Sequence, residues 1–393
     1  MPTLAAPSRR ADFTGQAVAA GVSSAILGYA SSISLVIIAL TKAGATSEQV
    51  SSGLLALGIS MAVVAVGFSA GLRIPVSIAW STPGAALMAG VGAVDGGYPA
   101  TIGALVLTGL LIALTGLIRP LNRLILQLPT PLTAAVLAGV VLPFCLQPAR
   151  AVTELPVPAG AIVVTWLVVL WLRPAWASAA ALAALVVIAV LDGTAGSPTA
   201  LHLDPTTPSL TWQAVVQIAL PLYVVTMAAQ NLVGVAVLTT FGYRPPVGRI
   251  LVATGAGSAA GGLFGGMTIN LAAITGALTA GPNAHPDPDK RWVAVTTNGL
   301  THLLLGALAP VAAGIVTRTD PALVGTAAGL ALVMTFVAAA KQALDDEDAR
   351  VPAAVTLLVT ASGMTALGVG AAPWGLLLGG VLLALKVGRP EKR

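Results

Sequence analysis

The chain is a succession of apolar stretches about as long as a membrane is thick, separated by short polar turns. Crossing a hydrocarbon core takes ~20 apolar residues. Fourteen such segments can be read: 14–41, 48–70, 75–91, 99–118, 129–147, 157–172, 175–192, 210–239, 245–263, 267–281, 291–317, 320–340, 351–370 and 372–387. The expected fold is therefore an all-α polytopic membrane protein. Of the 393 residues, 56% are hydrophobic and 8% charged, where soluble domains carry about 25% charged residues. Glycine and alanine are abundant, and small residues let membrane helices approach closely. The single Cys145 allows no internal disulfide and argues against a cysteine metal site. No cleavable signal peptide is evident, because Arg9 and Arg10 precede a long span instead of a short apolar region with a cleavage site.

Charge sets the orientation. With the N-terminus inside, the cytoplasmic segments hold Arg9, Arg10, Arg73, Arg119, Arg123, Arg173, Arg244, Arg249, Lys290, Arg291, Lys341, Arg350, Lys386, Arg389, Lys392 and Arg393. Those are 16 of the 19 basic residues. The bias follows the positive-inside rule and puts both termini in the cytoplasm. It also accounts for the net charge of +5 without a nucleic-acid partner. A count of twelve spans, with the two shortest segments as loops, keeps the same termini.

Two segments are broken. Residues 73–90 read RIPVSIAWSTPGAALMAG, and 261–282 read GGLFGGMTINLAAITGALTAGP. Each opens on an extended, Gly- or Pro-marked stretch and continues as a short helix of small residues. Thr82 precedes a proline and is biased to extended geometry. Pro83 suits a first helical turn, with Ser81 or Thr82 as the cap. A helix from Pro83 to Val91 is ~13 Å long, about half the hydrocarbon core, so it starts near the midplane. Asn270, with Thr268 beside it, is the matching start in the second segment. In a fourteen-span count these are the third spans of two seven-span halves. An odd number of spans per half inverts one half against the other, the plan of many secondary transporters. Helix starts facing each other at the midplane direct N–H groups and positive dipole ends at one point, which suits a small anion. A cation path would more naturally use carboxylates inside the membrane. All 14 Asp and Glu residues fall in loops or at span ends.

Four stretches resemble the bacterial benzoate membrane transport family of benzoate:proton symporters: RIPVSIAWSTPGAAL at 73–87, TMAAQNLVGVAVL at 226–238, GYRPP at 242–246 and INLAAITGALTAGPNAHPDPDKRW at 269–292. That family is similar in fold to the uracil/xanthine permeases and the SulP anion transporters. The resemblance implies a seven-plus-seven inverted repeat, with halves 1–192 and 210–393. It implies a core domain from 14–118 and 210–317, and a gate domain from 129–192 and 320–387. Spans 3 and 10 are broken in that fold and carry the site. Position by position, this points to Ser81, Thr82 and Gly84, to Thr268, Ile269 and Asn270, and to Gln230 and Asn231 in span 8. Span 1 would add Tyr29 and Ser32, although a Ser31–Ser32 pair is also ordinary packing glue between helices. Family members often carry His just before the INLAA stretch, where this chain has Met267, and Pro after QNL, where it has Val233.

His302 is the one histidine inside a predicted span, ~16 Å along its helix from Arg291 and so near the midplane. Proton coupling is one role open to it; a neutral imidazole bonded to a neighbouring helix is the other. Trp80 is suited to stacking on an aromatic ring or to packing between domains. His285, Asp287 and Asp289 lie close together in HPDPDKRW, but the prolines between them favour a turn over a metal site.

The resemblance implies a secondary active transporter of a small aromatic carboxylate, proton-coupled, with the core moving against the gate. It would sit in the bacterial inner membrane and need neither cofactor nor metal. Its partners would be the anion, protons and the bilayer, and dimers are common in the resembled fold. Alternatives are the same fold carrying a nucleobase, an aliphatic carboxylate or an inorganic anion, or a passive anion channel. No Ser/His pair with a recognisable motif, no intramembrane Asp pair and no HExxH motif points to an enzyme.

Overall fold

The computed structural model describes residues 14–118, 129–194, 201–366 and 369–387. Arg9, Arg10, Arg119, Arg123, Arg389, Lys392 and Arg393 lie outside the described residues.

The first half begins with α1 (Gly15–Lys42), capped by the Thr14 hydroxyl, which accepts from the Ala17 N–H. It continues with α2 (Ser47–Leu72), whose start is a capping box between Thr46 and Gln49. A short strand β1 (Ile78–Trp80) leads into the half-helix α3 (Thr82–Val91) and then α4 (Gly97–Leu117). Next come α5 (Thr130–Cys145), α6 (Gln147–Glu154), α7 (Pro156–Leu172) and α8 (Ala177–Leu191).

The second half starts with α9 (Trp212–Thr240) and α10 (Val247–Gly262). The strand β2 (Ile269–Leu271) and half-helix α11 (Ile274–Ala280) follow. Then come α12 (Trp292–Ala307), α13 (Ala309–Arg318), α14 (Pro321–Leu344), α15 (Arg350–Ala361) and α16 (Ala371–Ala384). Each of the fourteen segments read from the sequence contains one or more of these helices. By length and apolarity, seven described helices can cross a membrane, and the bent pair α12–α13 makes an eighth.

Besides residues 75–91, where β1 precedes α3, four segments depart from plain helix. Residues 267–281 hold a strand and then a seven-residue helix. Residues 291–317 bend by 55° between α12 and α13; Pro310, just past the break, cannot donate its missing N–H back into the ladder. The segment 351–370 is helical only to Ala361, and then Thr365 pairs with Gly370 in a small antiparallel hairpin. The long α9 widens twice into π turns, at Val215–Ala219 and Met227–Asn231.

The packing repeats between the halves. α4 packs along α10 while α2 packs along α12, which exchanges equivalent spans of the two repeats. α5 packs on its counterpart α14, and the pairs α7–α8 and α15–α16 correspond. Glycines permit the two crossings. A Cβ at Gly109 would lie 2.7 Å from the Gly255 carbonyl oxygen, and one at Gly58 would lie 3.1 Å from Gly306 Cα. Any side chain there would separate the helices.

At the centre β1 and β2 run antiparallel, with Ile78 opposite Leu271, Ala79 opposite Asn270 and Trp80 opposite Ile269. Two further bonds extend the ladder, Ser81 N–H to Thr268 O and Ala272 N–H to Ser77 O, each 2.9 Å. This pairing answers the problem of extended backbone inside a membrane, because each broken segment satisfies the other. α1, α9 and α12 surround the crossing with α2, α4 and α10 behind them, and α5 and α14 face it from the other side.

Candidate functional site

The half-helix α3 starts where the Thr82–Pro83 pair predicts. Ser81 is the N-cap, and its Oγ accepts from the Gly84 N–H at 3.2 Å. The Thr226 hydroxyl of α9 donates to the same oxygen at 2.8 Å. Both lone pairs of Ser81 are thus engaged within the protein. A Cβ on Gly84 would run into Leu222 of α9, so this position sets a close approach of two helices.

On the second segment the strand continues past Asn270, and α11 starts only at Ile274. Every residue of β2 is buried, and Asn270 Oδ1 has no hydrogen-bond partner among the described residues. Ile269 N–H donates to Ser258 Oγ at 2.9 Å, and Leu271 N–H donates to Asn231 Oδ1 at 3.0 Å. Asn270 Nδ2 donates to the Leu271 carbonyl at 2.8 Å. Thr268 receives the Ser81 N–H on its carbonyl. Six expected contact residues are not among the described residues that line the cavity in front of this central wall: Ser81, Gly84, Asn231, Thr268, Ile269 and Asn270. On the second segment it is the residues after Leu271 that line it instead.

In front of the wall lies a cavity of about 310 Å³. Ser32 of α1, Thr82 of α3, Gln230 of α9 and His302 of α12 line it. Gly28, Ser31, Trp80 and Thr275 complete that side, and Leu137 of α5 with Met334, Thr335 and Gln342 of α14 form the opposite side. Among the described residues that line it, none is Lys, Arg, Asp or Glu. The contribution of α14 has no sequence signal of its own, because Thr335 and Gln342 resemble any polar residue on a membrane helix. Thr275 was hidden by placing the helix start at Asn270.

Trp80 organises the wall. Its Nε1–H donates to Ser32 Oγ at 3.0 Å, and Ser32 Oγ lies 3.1 Å from Thr82 Oγ1. Tyr29 meets the indole edge-on at 5.9 Å, and His302 does so at 6.0 Å. Tyr29 lies behind the indole, in a narrow gap shared with His302, Leu57 and Met61. His302 Nδ1 is 3.0 Å from the Asn298 carbonyl. A carbonyl only accepts, so Nδ1 carries a proton and the neutral ring keeps its lone pair on Nε2. That nitrogen faces α1 beside Gly28, 4.0 Å from where a Cβ on Gly28 would be. Met267 is buried in the main apolar cluster and does not reach the cavity.

A second cavity of about 240 Å³ lies along the body of α3, lined by Gly90, Gly139, Phe144, Gln217 and Gly370 among others. Leu87, Val136 and Val225 form a buried apolar cluster where α3, α5 and α9 meet. In the loop before α12, Asp287 N–H donates to His285 Nδ1 and Asp289 N–H to Asp287 Oδ1, each at 3.0 Å, which is a turn. The buried Arg291 guanidinium bonds the carbonyls of His285 and Ala280 and so ties the end of α11 to α12.

The family model described as benzoate membrane transport protein matches residues 11–385. The chain belongs to that family. It is a multi-pass membrane transport protein and not an enzyme. Among benzoate transport family relatives, the "Benzoate membrane transport protein" of Acinetobacter baylyi is 29% identical over 378 residues, covering 94% of each chain. "Inner membrane protein YdcO" of Escherichia coli is 37% identical over 366 residues, covering 92% of this chain and 93% of that one. Solved structures share the fold. The transmembrane domain of the cyanobacterial bicarbonate transporter BicA superposes with TM-score 0.58 at 14% identity, covering 95% of each chain. The murine anion transporter Slc26a9, in its inward-facing state, gives TM-score 0.58 at 13% identity, covering 96% of this chain and 68% of that one. The inverted-repeat anion-transporter fold expected from the sequence is the observed one.

Proposed function

We infer that this protein is a proton-coupled secondary transporter of a small aromatic carboxylate, with the substrate held in the cavity beside Trp80. One observation carries the reading. An aromatic-edged cavity at the crossing of two half-helices offers a hydroxyl (Thr82), a carboxamide (Gln230) and an imidazole (His302), and no fixed charge. The indole suits a ring, and the start of α3 suits an anionic end. The family and the name of the Acinetobacter relative support benzoate as the first ligand to try.

The missing fixed charge gives the coupling its logic. A carboxylate moved alone into a low-dielectric site costs several kcal/mol. Histidine is the side chain whose charge changes near neutral pH. Protonated His302 would neutralise the carboxylate, so proton and anion favour each other's binding. In this reading Met267 needs no substitute in its own segment, because the imidazole comes from α12.

The cavity reaches along α14 from Met334 to Gln342, beside Lys341, the cytoplasmic end in the orientation set by the basic residues. In this reading the cavity opens inward, in a protein of fourteen spans in the bacterial inner membrane with both termini cytoplasmic. The core (14–118 and 210–317) would move against the gate (129–192 and 320–387) to close it and open the far side.

Proteoliposomes test the reading. They should accumulate labelled benzoate when the outside is made acidic. Uptake indifferent to the proton gradient would remove the coupling, and uptake of uracil or sulfate in place of benzoate would overturn the substrate.

A further inference from the structure

Three groups in the cavity wall can be counted proton by proton. The Trp80 indole N–H can only donate, and Ser32 Oγ receives it at 3.0 Å. Ser32 and Thr82 share one more contact of 3.1 Å. The indole and the two hydroxyls together supply three protons, and the two contacts use two. Among the described residues neither hydroxyl has another hydrogen-bond partner. The neighbouring Ser31 differs, since its hydroxyl donates to the Gly28 carbonyl at 2.7 Å.

One O–H is therefore left over, and its place is determined. Ser32 is 2% exposed, whereas Thr82 is half-buried and faces the cavity. Ser32 borders the cavity but is almost wholly covered, so a leftover proton on it would find no room for an acceptor, and an unpaired buried donor is costly. Ser32 instead donates to Thr82, and the Thr82 proton turns to the cavity.

We propose that Trp80 is a positioning residue that acts through Ser32 to hold Thr82 as a hydrogen-bond donor at the start of α3. The site thereby selects a ligand that presents an acceptor oxygen at that point. The proposal rests on the reading that this cavity binds the substrate, and it narrows the substrate class. His302 Nε2 is the complementary group: an acceptor in the neutral ring and a donor in the charged one. A donor at Thr82 and a titratable nitrogen at His302 accept a carboxylic acid with neutral His302, or a carboxylate with protonated His302. The two states differ only in which side of one hydrogen bond holds the proton. A ligand that offers only a donor at that point would leave the Thr82 proton without an acceptor.

The test is a double-mutant cycle on the purified full chain, read as dissociation constants for benzoate, uracil and sulfate. Thr82→Val should weaken benzoate about tenfold or more, the loss expected for a hydrogen bond to a charged group. Thr82→Ser should stay within about threefold of wild type by the same reasoning. Trp80→Phe keeps a ring but removes the N–H, so Ser32 becomes free to accept the Thr82 proton and binding weakens. The double variant should bind no worse than Thr82→Val alone, because the relay has nothing left to position. Losses that multiply in the double variant would make Trp80 a packing residue and overturn the proposal. If Trp80→Phe does not fold, the Thr82→Ser and Thr82→Val pair decides, and equal affinities overturn it. Tight benzoate binding without coupling refutes the relay and leaves the transport reading intact. Coupling seen with sulfate or uracil and no benzoate binding upholds the relay and refutes the aromatic substrate. Binding of none of the three would overturn both.

Discussion

Replacing Asn231 with alanine separates a residue that holds the site from one that touches the ligand. Asn231 is 1% exposed and stands outside the cavity. Its Oδ1 accepts the Leu271 N–H at 3.0 Å, and its Nδ2 approaches Met227 Sδ at 3.3 Å. Leu271 is the last residue of β2 and lies opposite Ile78. Asn231→Ala would strand a buried backbone N–H, at a cost of about 1–3 kcal/mol. The void left by the carboxamide adds to this, so the whole loss should be about 2–4 kcal/mol. For a chain of this size that lowers the unfolding midpoint by several °C. Thermal unfolding of wild type and variant in the same detergent measures it, with benzoate affinity measured on the folded fraction. Affinity should change by less than about threefold, because the carboxamide meets no ligand atom. An unchanged midpoint with benzoate binding weakened more than tenfold would refute the reasoning and put Asn231 in the site.

Three further outcomes follow from the same geometry. His302→Gln keeps a polar side chain of similar reach but cannot titrate, so benzoate exchange between equal concentrations should persist while accumulation driven by a proton gradient is lost; retained accumulation removes His302 from the coupling. Ala338 of α14 lines the cavity, and Ala338→Trp should cut the uptake rate by about tenfold or more with an unfolding midpoint near wild type, since surface-like changes cost little stability. Gly109→Leu would push α4 off the Gly255 backbone of α10; the folded yield in detergent should collapse, and a midpoint within a few °C of wild type would contradict the close approach.

The sequence made legible what is local. Apolar stretches marked the helices, and Ser81, Thr82 and Pro83 marked the start of α3, because caps and prolines act within a few residues. His302 was legible as an ionisable group deep in a span, and it does line the cavity. What depends on pairing was not legible. No local signal says that β2 runs through Asn270 to Leu271 and delays α11 to Ile274. That delay puts Thr275 at the cavity and turns Asn270 into the wall. The same holds for Asn231 and Gln230, adjacent in one widened turn of α9. One bonds β2 and the other faces the cavity, and only the packing tells them apart. The hairpin after α15 was hidden inside an apolar segment because Val369 and its neighbours suit strand and span equally.

A structure of the wild-type protein with benzoate bound tests the central claim most directly. The account predicts density in the cavity between α1, α3, α9 and α12 on one side and α5 and α14 on the other. The carboxylate should lie within hydrogen-bond distance of Thr82 Oγ1 and His302 Nε2, with the ring toward Trp80. Density in the second cavity beside Phe144 and Gln217, or a carboxylate contacting neither Thr82 nor His302, would contradict it.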